Sequence, residues 1–330
     1  MSIICIFAKF LKMTVGTDIQ KAAEIIRNGG LVAFPTETVY GLGANALNTM
    51  AVAKIFEVKE RPTFDPLIVH IADIEKIAEL ANNQDNRVYY LAEKFWPGPL
   101  TIVLPKKEII GDIVTSGLAS VGLRMPNNTI ALELIKNAHC PIAAPSANKF
   151  GRISPTTAYH VAKQNMKIDY IIDGGKTTVG IESTVVTLVD DGFVILRNGF
   201  VTEDDLLKIV PKSKILNKQD ISKLSPGNIQ WHYSPSKPLY IAQNLTKNVD
   251  KSKSAFVAFS KESVIDSNYK IIEYLTQNGN LKEAAVNFFA ILHKLEEADV
   301  ECIVIEPVPE TSIGKAIMER MRKAAFRYLK

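Results

Sequence analysis

Short apolar runs that end in a cation or a small hydroxyl recur along the first two-thirds of this 330-residue chain. Lys59-Glu60-Arg61-Pro62 leads through the irregular stretch Thr63-Phe64-Asp65-Pro66 into an apolar run that ends at His70. Arg124 closes Ser120-Val121-Gly122-Leu123, and Arg197 follows Val194-Ile195-Leu196. Pro145-Ser146-Ala147-Asn148 follows Ile142-Ala143-Ala144, Ser154 precedes a helical stretch, and Thr38 sits in Pro35-Thr36-Glu37-Thr38 after another apolar run. A guanidinium presents a planar fork to two oxygens, an ammonium a compact charge, and hydroxyl or amide groups donate to phosphate or ribose oxygens. The chemistry these residue types suit is recognition of phosphate and carboxylate. Polar loops over a rigid sheet are where such sites are built, so their recurrence predicts one convergent site.

Each piece also has a plainer reading. Taken alone, Lys54, Lys59 and Arg61 read as a solvated charged face, and Ser146, Asn148 and Ser154 as helix caps. Gly41-Leu42-Gly43-Ala44-Asn45-Ala46 loosely matches a dinucleotide fingerprint, but the preceding strand ends near Phe34, too far upstream, and no acidic residue follows at the usual offset. Its glycines are read as a tight turn beneath Thr36-Glu37-Thr38. No GxxxxGK[ST] phosphate loop is present. Gly180-Ile181-Glu182-Ser183 lacks the second glycine of a serine-nucleophile elbow, so Ser183 is read as a binding hydroxyl.

The elements that must position these residues follow from apolar periodicity and from caps. Helices are predicted over 18–28, 49–57, 74–81, 87–95, 130–137 and 157–164, with Thr202 capping one more. Strands are predicted over 31–34, 67–70, 100–104, 121–124, 142–144, 170–172, 185–188 and 194–196. This alternation predicts a mixed α/β sheet with helical cover. Residues 211–238 lapse into Lys, Ser, Asn and Pro, with two aromatics and His232 inside Ser225-Pro226-Gly227-Asn228-Ile229-Gln230-Trp231-His232-Tyr233-Ser234-Pro235. Strands at 239–242, 255–259 and 302–305, with helices at 281–298 and 313–328, predict a second, smaller α/β domain. The expected division is 17–210, a linker at 211–238, and 239–330.

A hydrophobic fraction of 47% with 22% charged residues is ordinary globular usage, and the net charge of +4 falls short of a dedicated nucleic-acid surface. Cys5, Cys140 and Cys302 form no CxxC pair, which fits a reducing, cytoplasmic compartment. His70, His139, His160, His232 and His293 include no i,i+4 pair, so no protein-held metal is expected; His139, at a helix end, is read as structural. The apolar run Ile3-Ile4-Cys5-Ile6-Phe7 is too short to span a bilayer and has its lysines on the wrong side for a signal peptide, so it is read as an edge strand or extension. No membrane segment is expected.

Taken together, Phe34-Pro35-Thr36-Glu37-Thr38-Val39-Tyr40-Gly41-Leu42-Gly43, Lys59-Glu60-Arg61-Pro62, Trp96-Pro97-Gly98-Pro99-Leu100-Thr101, Arg124-Met125-Pro126, Ala144-Pro145-Ser146-Ala147-Asn148 and Glu182-Ser183-Thr184 closely resemble the YrdC-like threonylcarbamoyl-AMP synthases. The resemblance covers about 17–210, and the remainder resembles the extension of the two-domain form. It implies a twisted mixed-sheet YrdC-like domain with a concave basic site, plus a smaller Rossmann-like α/β domain. It also implies condensation of L-threonine, bicarbonate or CO2, and ATP into threonylcarbamoyl-AMP and pyrophosphate, with Mg²⁺ carried by ATP rather than by the protein. The threonine carbamate would attack the α-phosphorus, and a downstream transferase would pass the group to tRNA, whose contact with this chain would be indirect.

Carried over by motif, Lys59 and Arg61 are the expected catalytic residues. Together with Asp65, Ser120, Ser146, Asn148, Ser154, Arg197 and His232 they are expected on ATP, with His232 in a lid. Thr38, His70, Arg124, Ala144 and Ser183 are expected on L-threonine, Arg124 on its carboxylate. Asp65 stands where the family commonly has asparagine, Glu60 where a small residue is frequent, and Asn198 where proline often precedes Gly199. Two other readings compete. An RNA-binding module would need aromatic stacking surfaces among basic residues, and a hydrogenase-maturation carbamoyltransferase would need paired CxxC fingers; the sequence shows neither.

Overall fold

The computed structural model describes residues 14–214, 232–245, 249–263 and 268–328. The strand expected at 3–7 and the lid expected at 225–231 lie outside the described residues.

A large mixed sheet holds β1 (Thr14–Gly16), β2 (Val32–Phe34), β3 (Gly41–Asn45), β4 (Ile68–His70), β5 (Leu100–Pro105), β6 (Ser120–Arg124), β7 (Ile142–Ala143), β8 (Tyr170–Ile172), β9 (Thr184–Val189) and β10 (Gly192–Arg197). Its spatial order is β1-β8-β2-β3-β7-β4-β6-β5-β9-β10. Helices α1 (Ile19–Arg27) and α6 (Thr129–Ala138) cover one face, burying Ala22, Ala23, Ile26, Leu134 and Ile135 against Val32, Phe34 and Ile142. The other face packs against α2 (Thr49–Lys59) and α4 (Asn86–Phe95), with α3 (Lys76–Leu80), α5 (Asp112–Thr115), α7 (Ala158–Ala162) and α8 (Glu203–Leu207) around it. A second, wholly parallel sheet holds β11 (Leu239–Ile241), β12 (Ser254–Ala258), β13 (Ile271–Tyr274) and β14 (Cys302–Ile305) in the order β11-β14-β12-β13. Helices α9 (Leu281–Glu297) and α10 (Gly314–Phe326) pack on it.

Local chemistry explains the boundaries that matter. Asp18 caps α1 by accepting from the Lys21 amide, and Thr202 and Asp205 form a reciprocal capping box on α8. At the end of α2, Glu60 takes a left-handed conformation (φ 54°), its amide donates to the Glu57 carbonyl, and the Arg61 amide donates to the Phe56 carbonyl. That is a Schellman closure, and it reverses the chain so that Lys59 points inward while Arg61 enters the next loop. A non-glycine in this conformation costs roughly 1 kcal/mol, which the two closing hydrogen bonds offset.

The expected tight turn at Gly41–Gly43 is instead strand β3, antiparallel to β2 with Gly43 opposite Val32. A Cβ on Gly43 would sit 2.7 Å from the Phe34 ring and 2.8 Å from Ile142, so the glycine is there to admit neighbouring side chains rather than to turn. Strands β1 and β13 and helix α5 are further elements beyond those expected. The units meet through apolar packing: Val39, Ile153, Val179 and Ile181 join the core formed by α9 and α10. Gly180 (φ +79°) lies so close to α9 that a Cβ would come within 2.5 Å of the Val286 Cα.

Candidate active site

A cleft opens over the ends of β4, β6 and β9 and is closed on one side by α10 of the second sheet's unit. Its wall carries Thr38, Arg61, Asp65, His70, Ser120, Arg124, Ala144, Ser146, Ser183, Arg197 and His232. The remaining expected residues, Lys59, Asn148 and Ser154, are buried and do not line it.

One end is organised by Arg124. β4 and β6 run parallel with His70 opposite Arg124, so register places both side chains together. The guanidinium is 2.8 Å from the Glu37 carboxylate, donates to the Thr38 hydroxyl at 3.0 Å and donates to the Gly98 carbonyl at 3.3 Å. Neither Glu37 oxygen accepts an aligned hydrogen bond, and His70 Nδ1 has no partner among the described residues. Burial, then the Arg124 charge, pulls His70 down to about 3, so its imidazole is neutral near pH 7. Ala144 donates its amide to the Ile68 carbonyl, which fixes its place against β4.

The other end gathers cations. Arg61 pairs with Asp65 at 2.7 Å and also donates to the Asp65 and Pro66 carbonyls at 3.0 and 3.2 Å. Burial lowers the Arg61 value and raises that of Asp65, and each charge offsets the shift of the other. Lys59 Nζ donates to the Ser146 carbonyl at 2.6 Å and to the Asn148 carbonyl, which braces the Ser146-Ala147-Asn148 loop from behind. Burial, then the Arg61 charge, holds that ammonium well below the ordinary lysine range. Asn148 Nδ2 donates to the Lys149 and Arg152 carbonyls at 2.8 and 2.9 Å. Arg197 donates to the Ser183 carbonyl at 3.1 and 2.9 Å and to its hydroxyl at 3.0 Å, and that hydroxyl is 2.8 Å from Thr101 Oγ1. Ser183 thus holds Arg197 against Thr101 of β5.

Behind the wall runs a buried relay that the sequence reading missed. Ser154 Oγ donates to Glu182 at 2.5 Å, and Arg320 of α10 donates to the other Glu182 oxygen at 2.8 Å and to the Asn198 carbonyl at 2.7 Å. The Arg320 guanidinium lies over the Tyr233 ring, 5.7 Å from its centre. His232 donates its amide to the Lys323 carbonyl at 3.3 Å and packs edge-on to Tyr233. Burial, followed by the charges of Arg61, Lys59, Lys323 and Arg197, keeps the His232 ring neutral. Glu37, Glu182, Arg320 and Lys323 are therefore site residues absent from the expectations. Glu37 carried a visible signal in Thr36-Glu37-Thr38.

Buried neutral histidines set a pH dependence. His70 is pulled to about 3, and His160, stacked on His293 between the two units, to about 4, chiefly by burial. Depressed folded values mean that the unfolded chain binds more protons below the ordinary value of 6.5. Their contribution is complete above that pH and is lost as pH falls, at up to roughly 1.4 kcal/mol per pH unit for each ring. Urea midpoints are expected to decline between about pH 6.5 and 4.5, less steeply in a His160→Gln variant. An unchanged slope in that variant would contradict the assignment.

Among the described residues no helix is long and apolar enough to cross a membrane. The Sua5/YciO/YrdC family model, whose description reads "Telomere recombination", matches residues 24–199. The model of the threonylcarbamoyl-AMP synthase C-terminal domain matches residues 201–326. The chain is 42% identical to the threonylcarbamoyl-AMP synthase of Pyrococcus abyssi, across 94% of this chain and 95% of that protein. The chain belongs to the threonylcarbamoyl-AMP synthase family. The Bacillus subtilis threonylcarbamoyl-AMP synthase is 39% identical over 93% of both chains. A solved structure of P. abyssi Sua5 complexed with L-threonine superposes with a TM-score of 0.80 at 38% identity, covering 95% of this chain and 97% of that one. As a threonylcarbamoyl-AMP synthase, this protein is an adenylate-forming enzyme of tRNA modification with the expected YrdC-like fold and C-terminal unit.

Proposed function

We propose that the cleft joins L-threonine, bicarbonate or CO2, and ATP into threonylcarbamoyl-AMP and pyrophosphate, with the amino acid at the Arg124 end and the triphosphate at the Arg61–Arg197 end. The distribution of charge supports this most strongly. Arg124 is fixed by Glu37 and Thr38 beside a neutral His70, while Arg61, Arg197 and the buried Lys59 gather apart from it. The solved P. abyssi relative with bound L-threonine supports the same amino acid here.

Arg124 would bind the threonine carboxylate through its fork, with the Thr38 and Ser183 hydroxyls available to the remaining polar groups and Ala144 on the wall beside them. Neutral His70 accepts or donates a hydrogen bond without repelling a cation. Arg61, Arg197 and the Ser146 loop would orient the phosphates so that the carbamate oxygen meets the α-phosphorus. Lys59 acts from behind the wall, where its bonds to the Ser146 and Asn148 carbonyls hold the Ser146 loop in place. Asn148 and Ser154 act from behind the wall, by bracing the loop and by holding Glu182. No covalent intermediate on the chain is needed, so the residues act by positioning and by charge.

A metal carried by the nucleotide would find the Asp65 carboxylate beside Arg61 at the phosphate end. Mg²⁺ on ATP would neutralise part of the triphosphate charge. A transferase acting on tRNA would consume the product in the cytoplasm, with tRNA touching this chain indirectly.

Pyrophosphate release measured with each substrate omitted tests the reading. Release is expected to fall to background without threonine and without bicarbonate. Release that ignores threonine would overturn the substrate assignment.

A further inference from the structure

The phosphate end of the cleft is poorer in available charge than its residue types suggest. Arg61 is matched by Asp65 at 2.7 Å, Arg197 is engaged by Ser183, and Lys59 lies behind the wall. A triphosphate brings several negative charges, so a further cation on the wall would complete the site. We propose that Lys323, on α10 of the second sheet's unit, binds the distal phosphates of ATP, so that the nucleotide is gripped from both units. This deepens the nucleotide reading above and rests on it.

Four observations carry the proposal. Lys323 lines the same cleft as Arg61, Arg197 and Ser146. Its side chain is 18% exposed, which lets a ligand in the cleft reach it. Its charge acts on both Asp65 and His232, which places it at the Arg61 end rather than beside Arg124. Finally, the ammonium is held 3.0 Å from Glu319 Oε1 one helical turn earlier, while Glu319 Oε2 accepts from Asn198 at 3.2 Å. When Lys323 turns to a phosphate, Glu319 retains Asn198. A lysine stem is flexible enough for that turn. The helix itself is anchored next door by Arg320 on Glu182, which fixes the starting point of the reach.

Calorimetric titration of the full chain with Mg-ATP, inorganic pyrophosphate, AMP and L-threonine tests this in Lys323→Gln and Lys323→Arg variants. Lys323→Gln is expected to weaken Mg-ATP and pyrophosphate about tenfold and to leave AMP and threonine unchanged. Lys323→Arg, which keeps the charge, is expected to recover most of the loss. Unchanged Mg-ATP affinity overturns the proposal, and so does an equal loss for AMP and Mg-ATP, which would mean a distorted site. A wild-type chain that binds no Mg-ATP would instead overturn the nucleotide reading and the proposal with it.

Discussion

Replacing Arg320 with methionine is expected to cost about 3–5 kcal/mol of unfolding free energy, because it removes one partner of a buried ion pair and leaves the other. Arg320 is 1% exposed, and its guanidinium joins Glu182 and Asn198 to α10. Burial alone would push Glu182 up, but Arg320 and Arg197 outweigh it and hold the carboxyl below its ordinary value. Without Arg320, Glu182 keeps Ser154 and the charge of Arg197, which soften the loss without cancelling it.

The sign of the pH effect follows. A carboxyl depressed in the folded state contributes stability above its ordinary value of 4.5 and loses it as pH falls. The variant's deficit is therefore largest near neutrality and shrinks toward acid, as urea midpoints at two pH values would show. Adding Glu182→Gln to the variant is expected to recover part of the loss, since a neutral amide costs less to bury than an unpaired charge. A deficit below about 1 kcal/mol, the scale of an exposed pair, would mean that the link between the units does not depend on this contact.

That relay also shows where sequence legibility ends. Strands β4, β6 and β10 were readable because each is an apolar run closed by His70, Arg124 or Arg197, and the cleft forms over those closing residues. β3 was not readable, because two glycines in three residues look like a turn until Phe34 of the neighbouring β2 is seen filling the space over Gly43. β1 has three residues, too few for a period, and exists by pairing with β8. Lys59, Asn148 and Ser154 carried the right residue types, but facing is a tertiary property, and they face the backbone and Glu182 rather than the cleft. Arg320 did leave a trace. It falls on the stripe Ile313, Ala316, Ile317, Met321 and Ala324 that α10 buries, and an arginine on an apolar face needs a buried acid. Which acid it meets, across more than a hundred residues, periodicity could not say.

Arg124→Ala is expected to weaken threonine binding by about a hundredfold or more, in the range for truncating one member of a buried charge pair, while ATP affinity changes little. The proposed fork to the amino-acid carboxylate is lost. A second effect adds to it. Glu37 is 5% exposed and sits 2.8 Å from the Arg124 guanidinium, so in the variant an unneutralised carboxylate faces the carboxylate that should bind. The two contributions separate experimentally. Adding Glu37→Gln to the alanine variant removes the repulsion and is expected to restore part of the threonine affinity, whereas the same change in the native background removes the group that aims Arg124 and is expected to weaken binding. Arg124→Lys keeps the charge without the fork and is expected to fall between the wild type and the alanine variant. ATP titrated into the same variants is the internal control, because Arg61 and Arg197 take their partners from Asp65 and Ser183, not from Glu37. Equal losses of threonine and ATP would show that Arg124 holds the cleft's shape rather than a carboxylate.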